Sequence, residues 1–148
     1  MSTYRLHDSL GYQLTITARL QERRFDDWLK DLGLTRSTWC VLVSLQYEGL
    51  SRPSEIASFI GIDRTAISRT LRRMETEGLI ERKIGKEDRR TTQVQATKLG
   101  RDTLARAAPI ARKNAALIEE NLTSDDAAEL RRLLSKMRGD APVTLDRI

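Results

Sequence analysis

Between Arg64 and Arg73 the chain places four arginines, two hydroxyls and no acid on one helical face. Ile67, Leu71 and Met74 recur at i, i+4 and i+7, so they must face inward, with Ala66 and Thr70 beside them. Arg64, Thr65, Ser68, Arg69, Arg72 and Arg73 are left to solvent. Arginine can fork onto guanine O6 and N7, and short hydroxyls can reach base edges or phosphates. Thr65, Ser68 and Arg69 lie in the first half of the helix, where a recognition helix meets bases; Arg72 and Arg73 are placed for phosphates. Charged helix faces normally mix signs, and this one holds no acid until Glu75. Further along, Lys86, Arg89 and Arg90 cluster around a turn. A basic helix beside a basic loop suits a DNA duplex, one element in each groove.

The elements that must carry these residues are legible from spacing. Leu6 to about Lys30 reads as a first helix with Leu6, Leu10, Leu14 and Ala18 on one stripe. Thr35 reads as the N-cap of a second, from Arg36 to Tyr47. Pro53 suits the first turn of a third helix that ends at Gly61, and Asp63 caps the basic fourth, which stops at Gly78. Two short helices joined by a tight glycine-containing turn form a helix-turn-helix pattern. Ile80–Ile84 and Thr92–Ala96 alternate as the strands of a hairpin, with the basic turn between them. Arg52 and Ser54, at the start of the third helix, are further candidates for DNA contacts.

Thr97 caps a fifth helix whose residues Leu104, Ala108, Ala111, Ala115, Ile118 and Leu122 make a sustained heptad seam. Pro109 is expected to kink or break it. Thr123 with Asp126 caps a sixth helix that carries Ala127, Leu130, Leu134 and Met137; the tail from Gly139 is expected to be loosely ordered. The expected fold is mainly α with a small β-hairpin wing. It is one domain over residues 1–148, with a winged helix-turn-helix lobe at 34–100 and dimerisation helices at 1–32 and 101–138. Leu6, Leu10 and Leu14, the seam of the fifth helix, and Leu130 and Leu134 are the dimerisation candidates. Half-site reading usually comes with two-fold symmetry, which favours a homodimer on a pseudo-palindromic operator.

Composition sets the bounds. The chain has 148 residues and a formal net charge of +5. Residues 1–50 hold six basic and six acidic residues, residues 51–90 ten and seven, residues 91–148 ten and eight. The excess therefore peaks on the helix-turn-helix and hairpin, as a polyanion site requires. One cysteine and one histidine leave no disulfide, thiolate cluster or zinc set, so no metal or cofactor is expected. Cys40, among Trp39 and Val41, reads as a buried small hydrophobe. No Gly-rich phosphate loop and no nucleophile–base set is present, so an enzyme is not expected. The N-terminal residues lack the apolar run of a signal peptide and no stretch approaches a membrane span, so a cytoplasmic protein is expected.

The residues LTRSTWCVLVSL (34–45), SEIASFIGIDRTAISRTLRRMETEGLIER (54–82) and DRR…ATKLG (88–100) carry a family resemblance. The chain resembles the multiple-antibiotic-resistance regulator (MarR) family of winged helix-turn-helix repressors, over nearly its whole length. The resemblance implies an obligate dimer that binds a palindromic operator. It implies that Arg90 enters the minor groove from the wing tip, that Asp88 braces the wing, and that a small aromatic or anionic effector binds between dimer helices and DNA lobe. Tyr12, Arg19, Trp39 and Val43 are the candidates to line that pocket, although plain core packing also accounts for the aromatics. Two positions depart from the family pattern. Ala96 stands where Leu is usual, and Arg52–Pro53 replaces the usual cap of the third helix. A second functional class stays open from the residues alone: a winged-helix module whose basic face docks an acidic protein.

Overall fold

The computed structural model describes residues 3–85 and 91–148. Its order is a 3-10 turn at Leu6–Asp8, then α1 (Leu10–Lys30), α2 (Arg36–Gln46), α3 (Pro53–Ile60), α4 (Arg64–Thr76), β1 (Ile80–Ile84), β2 (Thr92–Ala96), α5 (Lys98–Glu119) and α6 (Ser124–Arg138). The first helix is shorter than its leucine stripe suggests. Ser9 is extended at φ −73°, ψ 125°, which separates Leu6 from α1.

The helix starts follow from their caps. Thr35, Asp63, Thr97 and Thr123 each accept a hydrogen bond from a backbone N–H three residues on. The α3–α4 turn needs Gly61, which is left-handed at φ +85°. β1 and β2 pair antiparallel with Ile80 opposite Ala96 and Ile84 opposite Thr92. A backbone bond from Val94 N–H to the Ser51 carbonyl, 2.7 Å, ties the hairpin to the residue that precedes Arg52.

The core sits where α2, α3, α4, the hairpin and the first half of α5 meet. Leu29, Leu42, Ile56, Leu71, Met74, Ile80, Val94 and Leu104 are almost fully buried there. Thr97 joins three elements at one point. Its hydroxyl donates to the Gly78 carbonyl at 2.6 Å, its N–H donates to the Leu79 carbonyl at 3.0 Å, and its Oγ1 accepts from Gly100 N–H at 3.1 Å. Gly100 must lack a side chain, because a Cβ there would stand 2.1 Å from the Leu79 oxygen. This close approach is why a glycine stands three residues after the Thr97 cap.

The seam of α5 is corrected in part. Leu104 is 2 % exposed and belongs to the lobe's own core, so it cannot serve a second subunit. Inward with it turn Thr103, Ala107 and Asn114, one residue before Ala108 and Ala115. Asn114 tolerates burial because its Oδ1 accepts from Arg24 Nε of α1 at 3.1 Å. Further along, Ala115 is exposed, and Ile118 and Leu122 are 45 % and 36 % exposed. α5 passes Pro109 without a break; Ala105, whose carbonyl loses its helical donor, and Pro109 both face solvent, where water can replace the lost backbone bond.

The tail is not loose. Leu145 pairs in parallel with Ile62, and Ile148 packs on the core cluster. Among the described residues no helix is long and apolar enough to cross a membrane.

Candidate nucleic-acid interface

α4 buries Ala66, Ile67, Leu71 and Met74 and exposes Arg64, Thr65, Ser68, Arg69, Arg72 and Arg73, as its spacing requires. The burial of one stripe fixes the rotation of the helix, so these six side chains emerge together. Asp63 Oδ1 holds the Ala66 N–H at 2.7 Å and sets the first turn, from which Thr65, Ser68 and Arg69 project. Salt bridges distinguish the arginines. Arg73 Nε lies 2.8 Å from Glu77 Oε1 within the helix. A phosphate at Arg73 would compete with that pair, which is worth less than ~1 kcal/mol at such exposure.

Ser54 is exposed at the start of α3, and Arg52 is its N-cap residue, 3.8 Å from Glu55. Arg52 supplies no side-chain cap, and among the described residues its guanidinium has only this weak exposed pair. The hairpin continues the surface. Arg82 of β1 reaches back to Glu75 of α4 at 3.2 Å, which fastens the base of the hairpin to α4. Gly85 N–H closes the hairpin on the Thr91 carbonyl at 2.7 Å. Lys86, Asp88, Arg89 and Arg90 lie outside the described residues.

Two features of this surface escaped the sequence reading. The N-terminus of α2 stands beside α4, so Thr35 and Ser37 line one groove with Arg69 and Arg73. Backbone N–H groups at a helix start attract phosphate. The cap signal at Thr35 was legible, but its position beside α4 depends on tertiary packing. Asp146 and Arg147 of the tail reach the same groove, and nothing in their local pattern signals it.

The four effector candidates find different neighbours. Trp39 packs edge-on against Phe25, 5.0 Å between centroids, and Val43 lies against the core. Tyr12 packs edge-on against His7 at 4.9 Å. Arg19 is exposed and lines a surface groove of mixed charge with Glu22, Arg23, Asp26, Asp27 and Arg36. Burial pushes the Cys40 thiol up to about 11, with Arg36 opposing in part. Among the described residues no group of His, Cys, Asp or Glu could hold a metal ion.

The MarR family model matches residues 34–92, the helix-turn-helix and hairpin. Over 89 residues the chain is 34% identical to the uncharacterised HTH-type transcriptional regulator YwoH of Bacillus subtilis (strain 168). That match covers 60% of this chain and 64% of YwoH, so it spans a little under two thirds of the relative's length. A mutant of MarR from E. coli complexed with operator DNA shares the fold with a TM-score of 0.79 at 25% identity, over 88% of this chain and 94% of the other. BpsR of Bordetella bronchiseptica, whose DNA binding is regulated by 6-hydroxynicotinic acid, superposes with a TM-score of 0.85 over 95% and 99% of the two chains. At 22% identity that likeness speaks for the fold alone. The likeness of sequence centres on the lobe that presents the basic helix, and the likeness of fold extends to the helices at both ends. Both point the same way: residues 34–92 match the MarR family model, and the chain as a whole is similar in fold to MarR from E. coli.

Proposed function

We propose that the chain is a sequence-specific DNA-binding transcription regulator, a dimeric repressor that reads a pseudo-palindromic operator in double-stranded DNA. The observation that carries this reading is the exposed face of α4, with Arg64, Thr65, Ser68, Arg69 and Arg72 together and no acid among them. Ser68 and Arg69 face bases in the major groove. Arg72, Arg52 and the start of α2 meet the flanking phosphates. The DNA complex of the E. coli relative supports this use of the fold.

Dimerisation is supported by what α6 lacks. Among the described residues it packs substantially on no other element, and Leu130, Leu133 and Met137 stand 42–56% exposed on it. A 15-residue helix is marginal in water without a covered apolar face. Leu6, Leu10 and Leu14 near the N-terminus, and Ile118 of α5 with Leu122 just beyond it, are exposed as well, and a second copy covers all three sets. Control by a small aromatic or anionic effector belongs to this reading, with Arg19 exposed in a groove that Arg23 and Arg36 line together with Glu22, Asp26 and Asp27. The protein acts in the cytoplasm, where its operator is.

Selection from a randomised duplex pool, followed by footprinting, tests the reading. The expected result is a protected site with two-fold symmetry and half-sites about one helical turn apart, roughly 10 bp. Weak binding that is indifferent to sequence would instead support a protein-docking module.

A further inference from the structure

The segment after α6 reaches the turn of the helix-turn-helix. Leu145 N–H donates to the Gly61 carbonyl at 2.7 Å, and Asp63 N–H donates to the Leu145 carbonyl at 2.8 Å. These two bonds land on the residues that define the turn. Gly61 is the left-handed C-cap of α3, and Asp63 is the N-cap of α4. Val143 lies over Gly61, close enough that an added Cβ would meet its Cγ1 at 3.2 Å. Ile148 then anchors the segment on the core cluster.

A turn of this kind ordinarily leaves its backbone groups to water and is free to flex. Here both groups flanking Ile62 are engaged, in the manner of a strand added to an edge. The engagement acts directly on α4, because its first turn hangs from Asp63: Oδ1 accepts from Ala66 N–H, and the Asp63 carbonyl accepts from Ile67 N–H at 3.0 Å. Thr65, Ser68 and Arg69 project from that same turn and the next. A bidentate contact to a base demands a fixed donor position, and its strength falls when the supporting backbone can move.

We propose that residues 143–148 form a strap that positions the recognition helix, with Leu145 as a positioning residue for base reading through its backbone alone. This role rests on the DNA-reading function proposed above. The Leu145 side chain is 50% exposed and takes no part, so the role belongs to the N–H and carbonyl.

Leu145→Pro removes the N–H that Gly61 accepts, whereas Leu145→Ala keeps both bonds. Full-length parent and both variants are compared in two measurements. Amide exchange of Asp63, followed by NMR without DNA, reports the dock. Binding to the duplex selected by the parent chain, and to a random duplex, reports reading. In Leu145→Pro the Asp63 amide should exchange at least tenfold faster. Affinity for the selected duplex should fall about tenfold (~1.4 kcal/mol), while random-duplex affinity and the salt slope stay within twofold. Leu145→Ala should match the parent in all respects. Equal exchange of the Asp63 amide in parent and Leu145→Pro overturns the strap. Faster exchange with unchanged preference for the selected duplex overturns its positioning role. A parent that binds both duplexes alike overturns the DNA reading, and the positioning role with it; the parent's own titration tells that failure from the strap's.

Discussion

Replacing Gly100 with alanine adds one methyl where α5 passes closest to the hairpin. The new Cβ would lie 2.1 Å from the Leu79 oxygen and 3.3 Å from Leu42 Cδ2. A backbone oxygen cannot turn aside as a side chain can, so the start of α5 must withdraw by about 1 Å to reach ordinary contact. Overpacking of this kind costs about 1–3 kcal/mol. The withdrawal also stretches the Thr97 bonds to Gly78 and Leu79, at about 1 kcal/mol each. Alanine's better helix propensity offsets about 1 kcal/mol. The net loss should be roughly 2–4 kcal/mol, a fall in Tm of roughly 5–15 °C for a chain of this length. Urea unfolding followed by tryptophan fluorescence, at one fixed protein concentration, gives the value. Gly11→Ala is the control, because its Cβ would find only Ser9 Oγ at 3.7 Å and should leave stability unchanged or raised by up to about 1 kcal/mol. If Gly100→Ala lies within about 0.5 kcal/mol of the parent, close approach is not the reason for glycine here.

Other outcomes follow from the same geometry. Arg69→Ala should cost about 1–3 kcal/mol of operator binding and relax base preference at one or two positions per half-site, read by repeating the duplex selection with the variant. Arg72→Ala should flatten the log–log salt slope by about one unit, and Arg73→Ala by less, because Arg73 already holds Glu77; equal slopes in parent and Arg72→Ala would remove Arg72 from the phosphate contacts. Leu130→Glu should shift the chain to monomer in sedimentation and abolish two-fold footprints without unfolding the lobe, since Leu130 touches no lobe core. Cys40 should react with iodoacetamide about a hundredfold more slowly than an unshifted thiol at neutral pH, because its pKa rises from 9.0 to about 11 and thiolate is the reactive form; alkylation at the rate of a free thiol would contradict its burial.

Local signals carried most of the fold. Thr35, Asp63, Thr97 and Thr123 were readable as caps because a cap needs only its own next turn. The face of α4 was readable because Ile67, Leu71 and Met74 leave one rotation. What was not readable depends on distant partners. Asn114 lies off the heptad stripe, and Arg24, 90 positions away, makes its burial acceptable. Leu104 and Ile118 share one heptad pattern, yet one fills the lobe and the other is left bare; spacing cannot tell which neighbour covers which turn. The Leu145 pairing uses backbone groups alone, so no side-chain period announces it. The wing residues Lys86, Asp88, Arg89 and Arg90 rest on pattern alone, since they lie outside the described structure.

The Thr97 joint has a mechanical consequence. One side chain grips the end of the recognition-helix turn at Gly78 while capping α5, and Gly100 removes the slack between them. The joint therefore behaves as a weld and not as a hinge. A rotation of α5 carries the hairpin and α4 with it as one body. In the proposed dimer on DNA, a change at the far end of α5 would appear as a swing of whole lobes, altering the distance between two reading heads while each head keeps its shape. Control of this kind would change which half-site spacing is accepted before it changed which bases are read.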